Sequence, residues 1–264
     1  MQTAGRAELM GLALDRATME EALVRCLAWC EGPRRTHTVV TVNASHVSLA
    51  RRDPELRAAC RAGDLVLADG MPVVWTARLL GSALPERVSG CDLMPRLLAE
   101  AGHRSLRVYL LGARPDVVSD LAARSVRAHP GLVLAGFRDG YFSPADHAAI
   151  VEEIRRAEPH LLFVGMPSPF KETWCERHRA RLAVPVVAGV GGTFDVLAGR
   201  VRRAPPWMQQ SGLEWSWRLL MEPRRMWRRY LATNSEFLWL AAREAVRRRA
   251  TPAEGAAGEA GGAP

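Results

Sequence analysis

The sequence is almost without lysine, because Lys171 is the only lysine among its 36 basic residues. It also lacks any Cys-x-x-Cys pair, although it has five cysteines. These are Cys26, Cys30, Cys60, Cys91 and Cys175. An odd number of scattered cysteines argues against a disulfide framework and against a zinc site, and it favours a reducing compartment such as the cytoplasm.

Long hydrophobic runs are absent as well. No apolar leader segment stands near the N-terminus, and no stretch of 18 apolar residues occurs in the 264-residue chain. The sequence therefore predicts neither secretion nor a membrane-spanning helix. Any contact with a membrane is expected to be peripheral.

Positive charge is concentrated in the C-terminal quarter. Residues 200–249 contain twelve arginines and four acidic residues, so this segment accounts for the whole formal net charge of +8. We expect it to meet something negative, which could be nucleic acid, an anionic membrane or a phosphorylated ligand.

Residues 224–247 also show helical periodicity, with an apolar arc on one side and arginines on the other. The arc consists of Met226, Trp227, Tyr230, Leu231, Phe237, Leu238, Ala241 and Ala245. Such a helix suits a lipid headgroup interface. One alternative is a helix packed on the core with a solvated basic face. A nucleic-acid-binding helix is the other, and it would explain the charge but not the apolar arc.

Short apolar segments alternate with helical segments before residue 200. Predicted core strands cover residues 36–42, 65–68, 106–112, 132–137, 161–165 and 184–188. We also expect one short strand before a helix that ends near residue 31, and helical structure over residues 47–62 with Gly63 as its stop. The alternation predicts an α/β fold with a Rossmann-like, largely parallel sheet and flanking helices.

The chain is accordingly divided into three parts. We expect an α/β domain over residues 1–199 and a helical, membrane-binding appendage over residues 200–249. The Ala/Gly-rich residues 250–264 are predicted to be disordered.

Polar residues stand at the ends of two predicted strands. Asp69 and Gly70 follow the apolar run 65–68, and Asn43 follows the strand that contains Thr41. Ligands of parallel sheets bind outside the carboxyl ends of the strands, where a carboxylate can remove a proton from a hydroxyl group. For each residue alone, capping of the following helix is the stronger interpretation.

Two glycine-containing loops could present backbone N–H groups to a phosphate. They are Gly112-Ala113-Arg114 and the loop 189–192, which includes Gly191 and Gly192. Neither loop matches the GxGxxG or Walker patterns, and a plain tight turn is at least as consistent with each. No set of acidic or histidine residues has metal-ligand spacing, so we predict no metal and no other cofactor.

Several phrases together resemble the WecG/TagA/CpsF glycosyltransferase family. They are TVNA at 41–44, ADGMPVV at 68–74, ERVSG at 86–90, GMPSP at 165–169, GVGGTFD at 189–195, RAPPWMQ at 203–209 and GLEW at 212–215. The likeness extends over residues 8–245.

This resemblance implies an inverting, metal-independent transferase in cell-surface polysaccharide or teichoic acid synthesis. The implied donor is a UDP-sugar, of N-acetylmannosamine or its uronate, and the implied acceptor is GlcNAc on undecaprenyl diphosphate. UDP-glucose is an alternative donor. The protein is then expected in the cytoplasm, on the inner face of the cell membrane, and a homo-oligomer is compatible with this assignment. Two other classes of protein are alternatives. One is a nucleic-acid-binding protein, although no nucleic acid is expected as a partner. The other is a dehydrogenase, and the absence of a GxGxxG motif argues against it.

The resemblance also implies roles for single residues. Asp69 would be the general base, Thr41 and Asn43 would line the same pocket, and the C-terminal segment would donate arginines to the site. We expect Arg87, with one or more of three C-terminal arginines, to stabilise the leaving diphosphate, helped by Gly112, Gly191 and Gly192. These arginines are Arg218, Arg224 and Arg225.

The chain departs from the family pattern at Lys171. Many members have a glutamine in the corresponding loop, so a substrate-binding role for Lys171 and the identity of the donor sugar stay open.

Overall fold

The computed structural model describes residues 5–221 and 223–250. For Arg218 and for residues 223–226, 228–232 and 249–250 it describes the backbone alone.

The centre of the fold is a six-stranded sheet in which every pair of neighbours is parallel. The strands of the protein are β1 (Arg6–Leu9), β2 (Leu12–Asp15), β3 (His37–Val42), β4 (Leu65–Ala68), β5 (Arg107–Gly112), β6 (Val133–Arg138), β7 (Leu161–Gly165) and β8 (Val186–Gly189). The order of the strands in the sheet is β4-β3-β8-β7-β5-β6. The predicted α/β class and the largely parallel sheet are confirmed.

Helices connect the strands and cover both faces of the sheet. They are α1 (Met19–Glu31), α2 (Ala44–Arg52), α3 (Pro54–Ala62), α4 (Met71–Leu79), α5 (Gly90–His103), α6 (Pro115–Ala128), α7 (His147–Ala157), α8 (Phe170–Leu182), α9 (Thr193–Leu197), α10 (Pro206–Gln210), α11 (Glu214–Met221) and α12 (Pro223–Ala250). Alternate side chains of the strands enter separate apolar clusters, as the two-residue period of a strand requires.

The expectation of a single strand before α1 is wrong. β1 and β2 form a small antiparallel hairpin instead. Met10 and Gly11 turn the chain with φ values of 48° and 91°, and positive φ at both central residues is typical of a tight hairpin turn. Methionine at the first of these positions gives no sequence signal for a turn, because asparagine, aspartate or glycine is usual there.

The helical character predicted over residues 47–62 is confirmed, and the segment is divided into α2 and α3. Pro54 is the first residue of α3, and the Asp53 side chain accepts a hydrogen bond from the Leu56 N–H at 2.9 Å. A proline restricts the residue before it to extended backbone, so α2 ends where α3 begins.

Helix α12 lies against α2. Phe237 is buried in the same apolar cluster as Val47 and Val73. Thr233 adds polar contacts, because its hydroxyl is 2.9 Å from Ser45 Oγ and its carbonyl accepts a hydrogen bond from Ser48 at 2.8 Å. The division of the chain at residue 200 stays a prediction, and residues 251–264 of the predicted tail lie outside the described residues.

In the predicted apolar arc of α12, the side chains of Met226, Tyr230 and Leu231 lie outside the described residues, and the other members are only partly buried. Phe237 and Ala241 are buried, as is Leu240, which the arc did not include. Leu238, which the arc did include, is 65% exposed. The buried face is therefore rotated away from the predicted arc, and apolar side chains remain on the outer face of this helix.

Candidate active site

The carboxyl edge of the sheet brings together the residues that end β3, β4 and β8. Thr41 pairs with Leu67 across β3 and β4, and the Asp69 N–H donates to the Val42 carbonyl at 2.8 Å. On the other side of β3, the Thr41 hydroxyl donates to the Gly189 carbonyl at 3.3 Å. Thr41, Asn43, Asp69 and the loop after β8 therefore share one edge, as expected for strand ends of a parallel sheet.

The loop before α5 crosses this edge. The Val88 N–H donates to the Ala68 carbonyl at 2.8 Å, directly before Asp69. At the other end of the loop, an added Cβ on Gly90 would lie 3.3 Å from Val190 Cα. This close approach leaves little room for a side chain at position 90. Residues 88–90 thus lie between the end of β4 and the loop 189–192, and Arg87 directly precedes them.

Arg87 belongs to a cluster of two arginines and two carboxylates. Its guanidinium lies 2.7 Å from Asp92 Oδ2 and 3.4 Å from Glu214 Oε2. Arg203 contacts the same two acids, at 2.6 Å from Asp92 Oδ1 and 3.6 Å from Glu214 Oε1. The charges balance within the cluster, so an anion bound by Arg87 must share the guanidinium with these carboxylates or displace them.

The surroundings of Asp92 favour its charged form. Partial burial alone would raise the pKa of this carboxyl group. Hydrogen bonds from Arg203 and Ser89, together with the charges of Arg87 and Arg203, outweigh burial and hold the pKa below its usual value. Asp92 is therefore a fixed counter-ion and a poor base.

Lys171 lies inside the fold at the same edge. Its side chain is buried, its Nζ contacts Glu172 Oε1, and it donates to Ser168 Oγ at 2.8 Å. The lysine stem runs along β8, since an added Cβ on Gly189 would be 3.3 Å from Lys171 Cε. Contact between Lys171 and a substrate stays a prediction.

The backbone N–H groups of the loops are largely engaged in the fold. Those of Val190 and Gly191 both face the Val164 carbonyl, at 3.0 and 3.3 Å. Gly192 caps the short helix α9. Phosphate binding by Gly191 and Gly192 stays a prediction.

Gly112 lies apart from Asp69, because three strands, β3, β8 and β7, separate β5 from β4, the strand that Asp69 follows. The N–H of its neighbour Ala113 donates to the Gly165 carbonyl at 3.0 Å. The geometry gives Gly112 a packing role at the ends of β5 and β7, and its contribution to phosphate binding stays a prediction.

The three C-terminal arginines fall on α11 and α12, and the side chains of Arg218, Arg224 and Arg225 lie outside the described residues. Within the described ranges, no group of three His, Cys, Asp or Glu side chains is arranged to hold a metal ion.

Sequence reasoning missed several residues of this edge. Arg203 and Glu214 belong to the phrases RAPPWMQ and GLEW, but nothing in those phrases shows that they meet Arg87. His46 carried a weak signal, because it stands three residues after the cap residue Asn43, where a side chain can reach back to the cap.

Comparison with known proteins gives consistent matches. Residues 7–251 match the model of the family described as "Glycosyl transferase WecG/TagA/CpsF family". The chain is 34% identical, over 194 residues, to an N-acetylglucosaminyldiphosphoundecaprenol N-acetyl-beta-D-mannosaminyltransferase of Bacillus subtilis (strain 168). The aligned residues cover 74% of this chain and 75% of that relative. It is 35% identical over 194 residues to the protein of the same name from Bacillus spizizenii, with 74% of each chain covered.

Proposed function

Because the chain belongs to the WecG/TagA/CpsF family of glycosyl transferases, we propose that it transfers N-acetylmannosamine from a UDP-sugar to GlcNAc on undecaprenyl diphosphate. Its reaction would contribute to the synthesis of a cell-surface polysaccharide or teichoic acid. The observation that carries this proposal is the position of Asp69, at the end of β4 beside Asn43 and the loop that holds Arg87.

In the proposed reaction, Asp69 takes the proton of an acceptor hydroxyl group. The hydroxyl oxygen forms a bond to the anomeric carbon while the bond from that carbon to the UDP oxygen breaks, and UDP leaves with the bonding electrons. Attack from the face opposite UDP inverts the anomeric centre, so one carboxylate is sufficient. Arg87 would stabilise the charge that develops on the diphosphate.

Arg203 is the second cation available for this charge, because it shares both carboxylate partners of Arg87. Diphosphate binding would replace Glu214 at Arg87, the weaker of its two contacts at 3.4 Å. This exchange would leave the shorter pair with Asp92 in place.

The proposal extends to the membrane surface that carries the lipid acceptor. None of the described helices is long and apolar enough to cross a membrane. Helix α12 nevertheless exposes Leu238, Trp239 and Val246, and the Arg243 guanidinium lies 5.3 Å from the centre of the Trp239 ring. Aromatic and aliphatic side chains among arginines suit the inner, anionic face of the cell membrane.

A product assay tests the transferase. Purified protein is incubated with a short-chain lipid-diphosphate-GlcNAc and separately with UDP-N-acetylmannosamine, its uronate and UDP-glucose. We expect a disaccharide lipid from UDP-N-acetylmannosamine, with the anomeric configuration opposite to that of the donor. Transfer only from UDP-glucose would change the assigned donor, and no transfer from any UDP-sugar would reject the proposed function.

A further inference from the structure

Behind Asn43 lies a buried polar network that the proposed reaction does not use. His46, Lys171 and Glu172 are each at most 5% exposed, and Ser168 joins them. His46 and Asn43 flank the start of α2, whereas the other three residues belong to the loop and first turn that follow β7. The network thus connects two strand ends that are separated by β8.

On one side, the imidazole of His46 holds the oxygen of the Asn43 side chain. The backbone N–H of His46 donates to Asn43 Oδ1 at 3.3 Å, which identifies this atom as an acceptor. His46 Nδ1 lies 2.9 Å from the same oxygen, and it donates to this oxygen when the ring carries its proton on Nδ1. In the opposite tautomer, Nδ1 accepts from the Asn43 N–H at 3.2 Å and completes a capping box.

The other side of the imidazole is held by three groups. His46 Nε2 is 2.8 Å from Glu172 Oε1, 2.9 Å from Ser168 Oγ and 3.3 Å from Lys171 Nζ. Lys171 and Glu172 balance each other in charge, which permits their burial. With both ring nitrogens engaged, the imidazole has little freedom to rotate.

We propose that His46 is a positioning residue for Asn43. Its Nδ1–H fixes the amide oxygen, so the amide NH₂ of Asn43 is turned away from α2 and towards the strand ends where Asp69 lies. Ser168, Lys171 and Glu172 fix the imidazole in turn. His46 is too buried to touch a substrate, so it acts through Asn43, and this inference rests on the proposed function.

Two substitutions separate the two sides of the ring. The amide of asparagine can replace Nδ1, and the longer glutamine can replace Nε2. His46→Asn therefore keeps a donor for Asn43 and loses the contacts of Nε2 with Ser168 and Lys171. His46→Gln keeps a polar group at the Nε2 position and loses the donor for Asn43. We expect kcat to fall about 10- to 100-fold in H46Q, with a smaller change in KM, and to fall less in H46N. The midpoint of thermal unfolding should show the opposite order, because H46Q keeps the buried network paired.

A double substitution tests whether the effect passes through Asn43. In an Asn43→Ala background, H46Q should lower kcat by less than about twofold further, because the group that His46 positions is already gone. Equal kcat in H46Q and wild type, or full additivity with Asn43→Ala, would overturn the proposal.

The protonation of His46 gives a readout that is independent of activity. In protein labelled with ¹⁵N-histidine, His46 is assigned from the signal missing in H46N, and its Nδ1 should appear protonated at neutral pH. An unprotonated Nδ1 would overturn the positioning role even in an active enzyme. Conversely, if the wild-type protein transfers no sugar but has a protonated Nδ1, the proposed function is rejected, whereas the contact between His46 and Asn43 stands.

Discussion

Asp69 and Asp92 are two carboxylates at the same edge of the sheet, but their surroundings differ. Asp92 is enclosed by Arg87, Arg203 and Ser89, and its lowered pKa makes it a weak proton acceptor. Asp69 stands at the end of β4, half-buried, next to the loop that crosses the edge. Asp92 is therefore assigned as the counter-ion of the arginines, and the separate role of the base is proposed for Asp69.

Asp69→Asn is the residue-scale test of this separation. The amide keeps the size of the side chain but cannot take a proton, so we expect kcat to fall about 10²- to 10⁴-fold with an unchanged unfolding midpoint. Steady-state kinetics with the lipid acceptor measure the effect. Asp139→Asn is the matched control, because Asp139 follows the opposite edge strand β6 and its side chain accepts a hydrogen bond from the Tyr141 N–H. A D69N enzyme as fast as D139N would remove Asp69 as the base.

At the scale of single elements, the ends of β5 and β7 meet through two glycines. Gly112 has φ of +132°, and an added Cβ there would lie 2.5 Å from the Gly165 carbonyl carbon. Backbone atoms cannot move aside as a flexible side chain can. These two strand ends therefore depend on glycine for packing, whether or not a phosphate binds nearby.

Gly112→Ala should destabilise the fold by about 3 kcal/mol or more, since backbone strain and overpacking each cost about 1–3 kcal/mol. Gly81→Ala is the control, because Gly81 also has positive φ, at +74°, but an added Cβ would meet nothing within 4 Å. Chemical denaturation should show a much smaller loss of unfolding free energy for G81A than for G112A. Equal losses in the two variants would mean that strain alone, and not the contact with Gly165, makes Gly112 necessary.

Local patterns were enough to predict most elements of the sheet. The apolar run 161–165 is β7 with the predicted bounds, and the strand-end positions of Asn43 and Asp69 follow from the parallel arrangement. The pairs that complete the site could not be predicted in this way. Arg87 meets Glu214 across 127 residues of chain, and His46 meets Glu172 across 126. Such contacts depend on how loops pack against one another, and the hydrophobic periodicity of the sequence contains no information about that packing.

At the scale of the whole molecule, α12 has two different faces. The inner face is fixed to α2 through Phe237 and Thr233. On the outer face, Leu238 and Val246 are 65% and 68% exposed and lie eight residues apart, with exposed Trp239 beside them. The two faces suit the membrane contact that we propose for α12, in which the inner face packs on the fold and the outer face meets lipid.

Removing the outer apolar surface tests the membrane contact without disturbing the inner face. In Leu238→Ser/Trp239→Ser/Val246→Ser, we expect binding to vesicles with about 30% phosphatidylglycerol to weaken at least about tenfold, because apolar burial in the headgroup region is lost. Cosedimentation measures the binding, and added salt should weaken it in the wild type as it screens the arginines.

The matched control, Val126→Ser/Phe137→Ser/Tyr141→Ser, removes three exposed apolar side chains from other elements and should bind vesicles as the wild type does. Both triple variants should keep the wild-type unfolding midpoint, since all six side chains are exposed. The α12 variant should also keep its rate on a short-chain, soluble acceptor and lose rate only on an acceptor embedded in vesicles. If the two triple variants bind vesicles equally well, the outer face of α12 does not contact the membrane, and the contact must lie elsewhere on the protein.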